Sequence, residues 1–144
     1  MKSDDLRDMG FVCFGSVGEL RSRAKQGVYV VIRAQSDMPE LLPPISARGS
    51  SGGRWIGDSD ILYIGASTRP LPIRIWELIA HGLRLVTNHA GGQEIWRIPD
   101  IDSAVVWCLE SDEPGRLERE LVQRFKREHG ERRPFGNLQD PPMP

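Results

Sequence analysis

Glu118 and Arg74 are the side chains whose type and spacing first suggest chemistry in this chain. With Leu117 at 0° and about 100° per residue, Leu121, Val122 and Phe125 form a helical stripe centred near 65°, and Glu118 falls inside it near 100°. Glu120, near 300°, faces water. A carboxylate turned towards a protein interior is costly unless a cation or hydrogen-bond donors meet it. Two readings follow: a structural ion pair with an arginine, or a metal-binding or catalytic glutamate. Arg74 lies about 85° from the centre of a second stripe, formed by Leu71, Ile75, Leu78 and Ile79, at the edge from which a side chain reaches from helix to sheet. His81 lies on the same face about 10 Å further along. The basic residues are biased: of 19, 16 are arginine. Arginine forks onto phosphate or carboxylate oxygens where lysine offers a point charge, although a bias in arginine codons accounts for the count equally well. The chain has only two tyrosines. They are Tyr29 in GVYVVIR and Tyr63 in ILYIGAST, each in an apolar run beside a glycine, Gly27 or Gly65.

The elements that must position these groups are legible in part. GVYVVIR is almost wholly apolar and reads as a central strand covered on both faces. DILYIG reads as the next strand. ASTRPLPIRIWELIAHG reads as a helix capped by Ser67 or Thr68, with early prolines tolerated in its first turn and Gly82 as its stop. EIWRI and AVVWCLE read as two further strands from their β-branched and aromatic content. EPGRLERELVQRFKREH reads as a helix capped by Ser111 or Asp112 and stopped by Gly130. Residues 11–26 read as a short strand or loop leading into a helical turn near Val17 to Ala24. Residues 35–58, dense in Pro, Gly and Ser, read as a long loop. The expected class is α+β: a small central antiparallel sheet, three-stranded or slightly larger and mixed, flanked by α-helices. One domain of residues 1–144 is expected, with an N-terminal lead at 1–26, a core at 27–138 carrying a loop insertion at 34–60, and a flexible tail at 139–144.

Composition narrows the function. The chain has 144 residues, and such a length buries a single sizeable core. No apolar run approaches the ~20 residues of a membrane span, and the start, MKSDDLRDMG, has no h-region of a secretory signal. Cys13 and Cys108 have no metal-ligand spacing and read as buried thiols of a reducing compartment, so a cytoplasmic location is expected. The net charge of −1 exerts no long-range pull on polyanions. HAGGQ lacks the GK[ST] ending of a phosphate-binding P-loop. Trp76, Trp96 and Trp107 read as core or subunit contacts.

Taken in order, GVY at 27–29, YIG at 63–65, Arg74 nine positions later, Glu118 in ExxLV at 118–122 and Asn137 in PFGN resemble the GIY-YIG nuclease superfamily. NHAGGQEIWRI and LVQRFKREHGERRPFGN look like a group of small bacterial GIY-YIG proteins. The resemblance spans about residues 10–138. It implies a GIY-YIG-like fold and a metal-dependent DNA endonuclease, with DNA as partner and Mg²⁺ or Mn²⁺ as cofactor. It further implies that Tyr29, Tyr63, Arg74 and Glu118 are catalytic and that Glu118 is the metal ligand. Tyr29 is expected as the base and Tyr63 as the hydrogen-bonding partner of water or phosphate, their order not being settled by sequence. A tyrosine, with an ordinary pKa of about 10, acts as a base only where positive charge lowers it. Asn137 is expected to orient strand ends or the glutamate.

The match departs from the family pattern in two places. The tyrosines stand 34 residues apart instead of in a short hairpin, so an insertion must loop out; either its Arg48, Arg54 and Trp55 contact DNA, or the loop is disordered and Trp55 covers an apolar patch. Several family members carry a histidine one turn after the arginine, and that position here is Leu78, leaving His81 or His89 to replace it. Arg69 and Gln93 complete the expected nucleic-acid contacts. Little chain remains for a sequence-reading domain, which implies weak intrinsic specificity, a homodimer or a partner protein. The competing reading is a non-catalytic nucleic-acid-binding or protein-interaction module that keeps the same fold.

Overall fold

A computed structural model describes residues 1–17, 25–43, 55–82 and 92–142, without the side chains of residues 78–82, 92 and 93. Among the described residues four strands form one antiparallel sheet: β1 (Val12–Ser16), β2 (Gly27–Ile32), β3 (Ile61–Ser67) and β4 (Val105–Glu110), in the order β1-β4-β2-β3. The helices are α1 (Ser3–Asp8), α2 (Leu71–Gly82), α3 (Gly92–Ile95) and α4 (Pro114–Glu128). The α+β class and the antiparallel sheet agree with the expectation. The N-terminal segment is more than a lead, because β1 pairs with β4 and widens the sheet to four strands.

The six residues of β2 are all buried, as a central strand between β4 and β3 requires. Pleating sends Tyr29 and Val31 to one face and Val28, Val30 and Ile32 to the other. The first face packs against Leu71 and Ile75 of α2, Ile95 of α3, and Phe135. The second packs against Leu121, Val122 and Phe125 of α4 and Leu6 of α1. The sheet thus lies between two helical layers, and α4 runs against β2 and β3. No helix among the described residues is long and apolar enough to cross a membrane.

Four local expectations are corrected. EIWRI is not a strand: α3 ends at Ile95, and residues 96 and 97 form a turn. Ile95 and Ile98 are both buried at a spacing of three, and the Ile98 amide bonds back to the Ile95 carbonyl at 3.1 Å, so its backbone is satisfied locally. Neither Ser67 nor Ser111 caps a helix in the expected way; their hydroxyls each accept the amide two residues on, from Arg69 and Glu113 at 3.0 Å, and form turns ahead of α2 and α4. Cys108 is buried, which pushes its thiol up to about 12, but Cys13 on the edge strand is exposed. Trp76 is 58% exposed, whereas Trp55, in the expected DNA-binding loop, is buried: its indole N–H donates to the Ser36 carbonyl and its ring meets Phe135 edge-on at 5.2 Å.

Gly130 stops α4 as expected, with φ +63. The PFGN segment that follows is fastened to the outer edge of β3. The Gly136 amide donates to the Leu62 carbonyl at 2.7 Å. The Asn137 amide group then imitates a strand neighbour: Oδ1 accepts from Ile64 N–H at 3.0 Å and Nδ2 donates to the Ile64 carbonyl at 2.9 Å. Asn137 is therefore the strand-orienting residue expected of it. Replacing Asn137 with Ala leaves two buried backbone groups unmatched and is expected to lower stability by about 2 to 3 kcal/mol, measured as a drop in the urea midpoint with little change in slope.

Candidate functional site

Tyr29 and Tyr63 come from neighbouring strands. Tyr29 pairs with Gly65 across β2 and β3, and Tyr63 pairs with Val31, which puts both phenols on the same face. Their ring centroids lie 5.8 Å apart at a tilt of 38°. Gly65 makes the approach possible. A Cβ there would stand 2.5 Å from Tyr29 Cζ, 2.6 Å from its Oη and 2.7 Å from Tyr63 Cε1. Any side chain at 65 must push the rings apart. Gly27 has a different task, since a Cβ there would strike the Leu109 carbonyl of β4; it serves the sheet and not the phenols.

Arg74 projects from the first turns of α2 and is half-buried. Glu118 projects from the N-terminal half of α4 and is also half-buried, whereas Glu120 is exposed and pairs with Arg116. The helical spacing thus placed both glutamates correctly. Among the described residues Glu118 has no ion pair, although the Arg74 charge reaches it.

The four groups feel one another. Burial raises the Glu118 carboxyl to about 7, against a partial lowering by Arg74. Tyr29 is fully buried, and desolvation together with Tyr63 lifts its phenol well above the ordinary value despite Arg74. Tyr63 is half-buried and is raised chiefly by desolvation; its hydrogen bond with Tyr29 and the Arg74 charge work the other way. Both phenols are thus held towards their protonated forms, with a hydrogen bond coupling them. Positive charge beside the phenols is present as expected, but desolvation outweighs it.

One participant was not singled out from sequence. Glu77, one turn after Arg74 on α2, accepts from Arg74 Nη1 at 2.6 Å through Oε2 and from Arg69 Nη2 through Oε1. An acid three residues after an arginine in a helix was the available signal. Arg69 and Arg74 line a cleft of about 310 Å³, together with residues 66–68 and with Pro114 and Gly115 at the start of α4.

Other expected residues do not join this group. Arg48, Arg54 and His89 lie outside the described residues, as do the side chains of His81 and Gln93. His129 belongs to the opposite face, where it stacks on Phe125 at 4.1 Å and bonds Asp58 Oδ1 at 2.9 Å. Comparison with protein-family models, with curated proteins and with solved structures gives no match.

The raised Glu118 pKa has a signed consequence. An acid whose pKa is higher folded than unfolded contributes stability below about pH 4.5, and that stability is lost as pH rises through about 7. Without divalent cation, the protein is expected to lose up to about 3 kcal/mol between pH 5 and 8 relative to Glu118→Gln. Urea denaturation of both proteins across that range checks this, and parallel profiles would refute it. Gly65→Ala is expected to separate the rings and destabilise by about 1 to 3 kcal/mol or more through overpacking, seen as a lower melting temperature and altered near-ultraviolet circular dichroism.

Proposed function

We propose that the protein is a divalent-metal-dependent endonuclease that hydrolyses phosphodiester bonds in DNA, acting in the cytoplasm by a GIY-YIG-type mechanism. The convergence of Tyr29, Tyr63, Arg74 and Glu118, drawn from β2, β3, α2 and α4, supports this reading above any other observation. Phosphodiester hydrolysis needs a deprotonated water in line with the leaving oxygen and cationic groups to meet the charge gained at phosphorus. Arg74 supplies a forked cation for a phosphate oxygen. Tyr63 is the better placed phenol to take a proton from water, because it is partly accessible whereas Tyr29 is wholly buried. Burial of Tyr29 makes it the supporting partner, the reverse of the order expected from sequence.

Glu118 fits the implied cation. It is a hard oxygen donor, half-buried, and within electrostatic reach of Arg74 and both phenols. Mg²⁺ and Mn²⁺ accept a single protein carboxylate with waters and phosphate oxygens filling an octahedron. When bound, such an ion acidifies water and offsets phosphate charge. Asn137 and Gly65 keep the strand carrying Tyr63 in place. A weak intrinsic sequence preference, with a homodimer or partner protein supplying the rest, belongs to the same proposal.

A second reading, a DNA-binding or protein-interaction module without turnover, is favoured by the raised pKa of both phenols and by the pairing of Arg74 with Glu77. Incubation with supercoiled plasmid separates the two. Nicking that requires Mg²⁺ or Mn²⁺ and disappears in Glu118→Ala is the expected result; nicking by neither protein would favour the module, and nicking by both a contaminant. Since a cation must displace the Glu118 proton, Mn²⁺ affinity is expected to rise with pH up to about 7 and to level off above it. Calorimetric titration at several pH values, with affinity flat through that range, would count against Glu118 as the ligand.

A further inference from the structure

The two arginines that line the cleft share a partner to which the nuclease reading gives no task. Glu77 is largely shielded, with a side-chain exposure of 16%, and its two oxygens are divided between two arginines. A surface ion pair contributes little and adopts many geometries. This carboxylate is different, because it spans Arg69, 53% exposed at the cleft mouth, and Arg74, 22% exposed at the phenols. Desolvation raises the Glu77 carboxyl, but the hydrogen bonds from Arg69 and Arg74 outweigh it and hold it below the ordinary value, so it stays charged. The backbone also directs Arg69, whose amide is held by the Ser67 hydroxyl at 3.0 Å.

Each guanidinium gives one nitrogen to Glu77, Nη1 of Arg74 and Nη2 of Arg69. A guanidinium has five N–H donors in a rigid fork. Fixing one corner therefore orients the others without consuming them. We propose that Glu77 is a positioning residue, which holds Arg69 and Arg74 as a preformed pair of forks for the phosphate oxygens of a nucleic-acid backbone lying in the 310 Å³ cleft. This rests on the nuclease reading for its substrate. Preorganisation spares the immobilisation cost of two long side chains at the moment of binding, and small displacements of such groups reduce turnover sharply.

The contrary role makes opposite predictions. If Glu77 only screens positive charge, its removal frees two arginines, tightens DNA binding and leaves turnover intact or improved. For the positioning role, Glu77→Ala is expected to bind a duplex oligonucleotide in Ca²⁺ no more tightly than the unaltered protein, while kcat for plasmid nicking falls at least about tenfold. Glu77→Gln keeps one acceptor and the side-chain shape, so it is expected to fall between the two and serves also if the alanine variant folds poorly. Unchanged kcat in both variants overturns the proposal. Nuclear magnetic resonance decides independently of activity. The Arg74 guanidinium signal, identified by its loss in Arg74→Lys, is expected to sharpen and exchange slowly in the unaltered protein and to average out in Glu77→Gln. A persistent ordered signal in that variant overturns positioning, whereas an unaltered protein that orders Arg74 but fails to nick plasmid overturns only the nuclease reading.

Discussion

The contact of the Tyr29 ring with the bare backbone of Gly65 is the constraint on which the candidate site depends. Tyr29 stands on the central strand and is wholly buried, so its ring must lie over a neighbouring strand instead of rising into solvent. Only a residue without Cβ leaves that space, and only there can the phenol meet Tyr63 two positions back on β3. The ring pair in turn brings two dissociable protons close to the arginine of α2 and the glutamate of α4. The glycine is a steric requirement of the tyrosine pair and needs no unusual backbone angle.

Desolvation then decides the resting chemistry. Both phenols and Glu118 are shifted towards their neutral forms, against the influence of Arg74. One cation already engaged by Glu77 does not offset the desolvation of these three acids. Of the three, Glu118 is the one whose raised value, about 7, lies in the neutral range. Position distinguishes the partners, because Tyr29 is wholly buried and Tyr63 only partly so.

Long periodic segments carried the legible part of the fold. β2, β3, β4, α2 and α4 follow from apolar runs and helical stripes, and the inward turn of Glu118 follows from a wheel because α4 is fifteen residues long and regular. Short segments failed for a physical reason. Five residues such as EIWRI offer too few periods to separate a strand from a turn stabilised by Ile95 and Ile98, and the buried Glu94–Arg97 pair at 3.2 Å that fastens them is a tertiary feature. Trp76 is exposed where a core or subunit contact was expected, since an aromatic residue carries no local mark of which side will be covered. Cys13 illustrates the same point on an edge strand. Glu77 was overlooked because its meaning lies in two partners of which one, Arg69, precedes the helix.

The position of the site on an edge strand remains to be accounted for. An exposed strand edge offers unpaired amides and carbonyls, a liability that folds ordinarily cover. Here the outward positions of β3 alternate through Leu62, Ile64 and Ala66. The first two are bonded by Gly136 and Asn137, so the PFGN segment acts as a short surrogate strand. At Ala66 the cover ends and the cleft begins, walled by Arg69, Arg74 and the first residues of α4. A fifth strand in the usual place would have run on past Ala66 and filled that space. Covering the edge with an asparagine side chain secures the backbone at Ile64, between the two residues that matter most, Tyr63 and Gly65, and leaves the adjoining end of the strand open to a ligand.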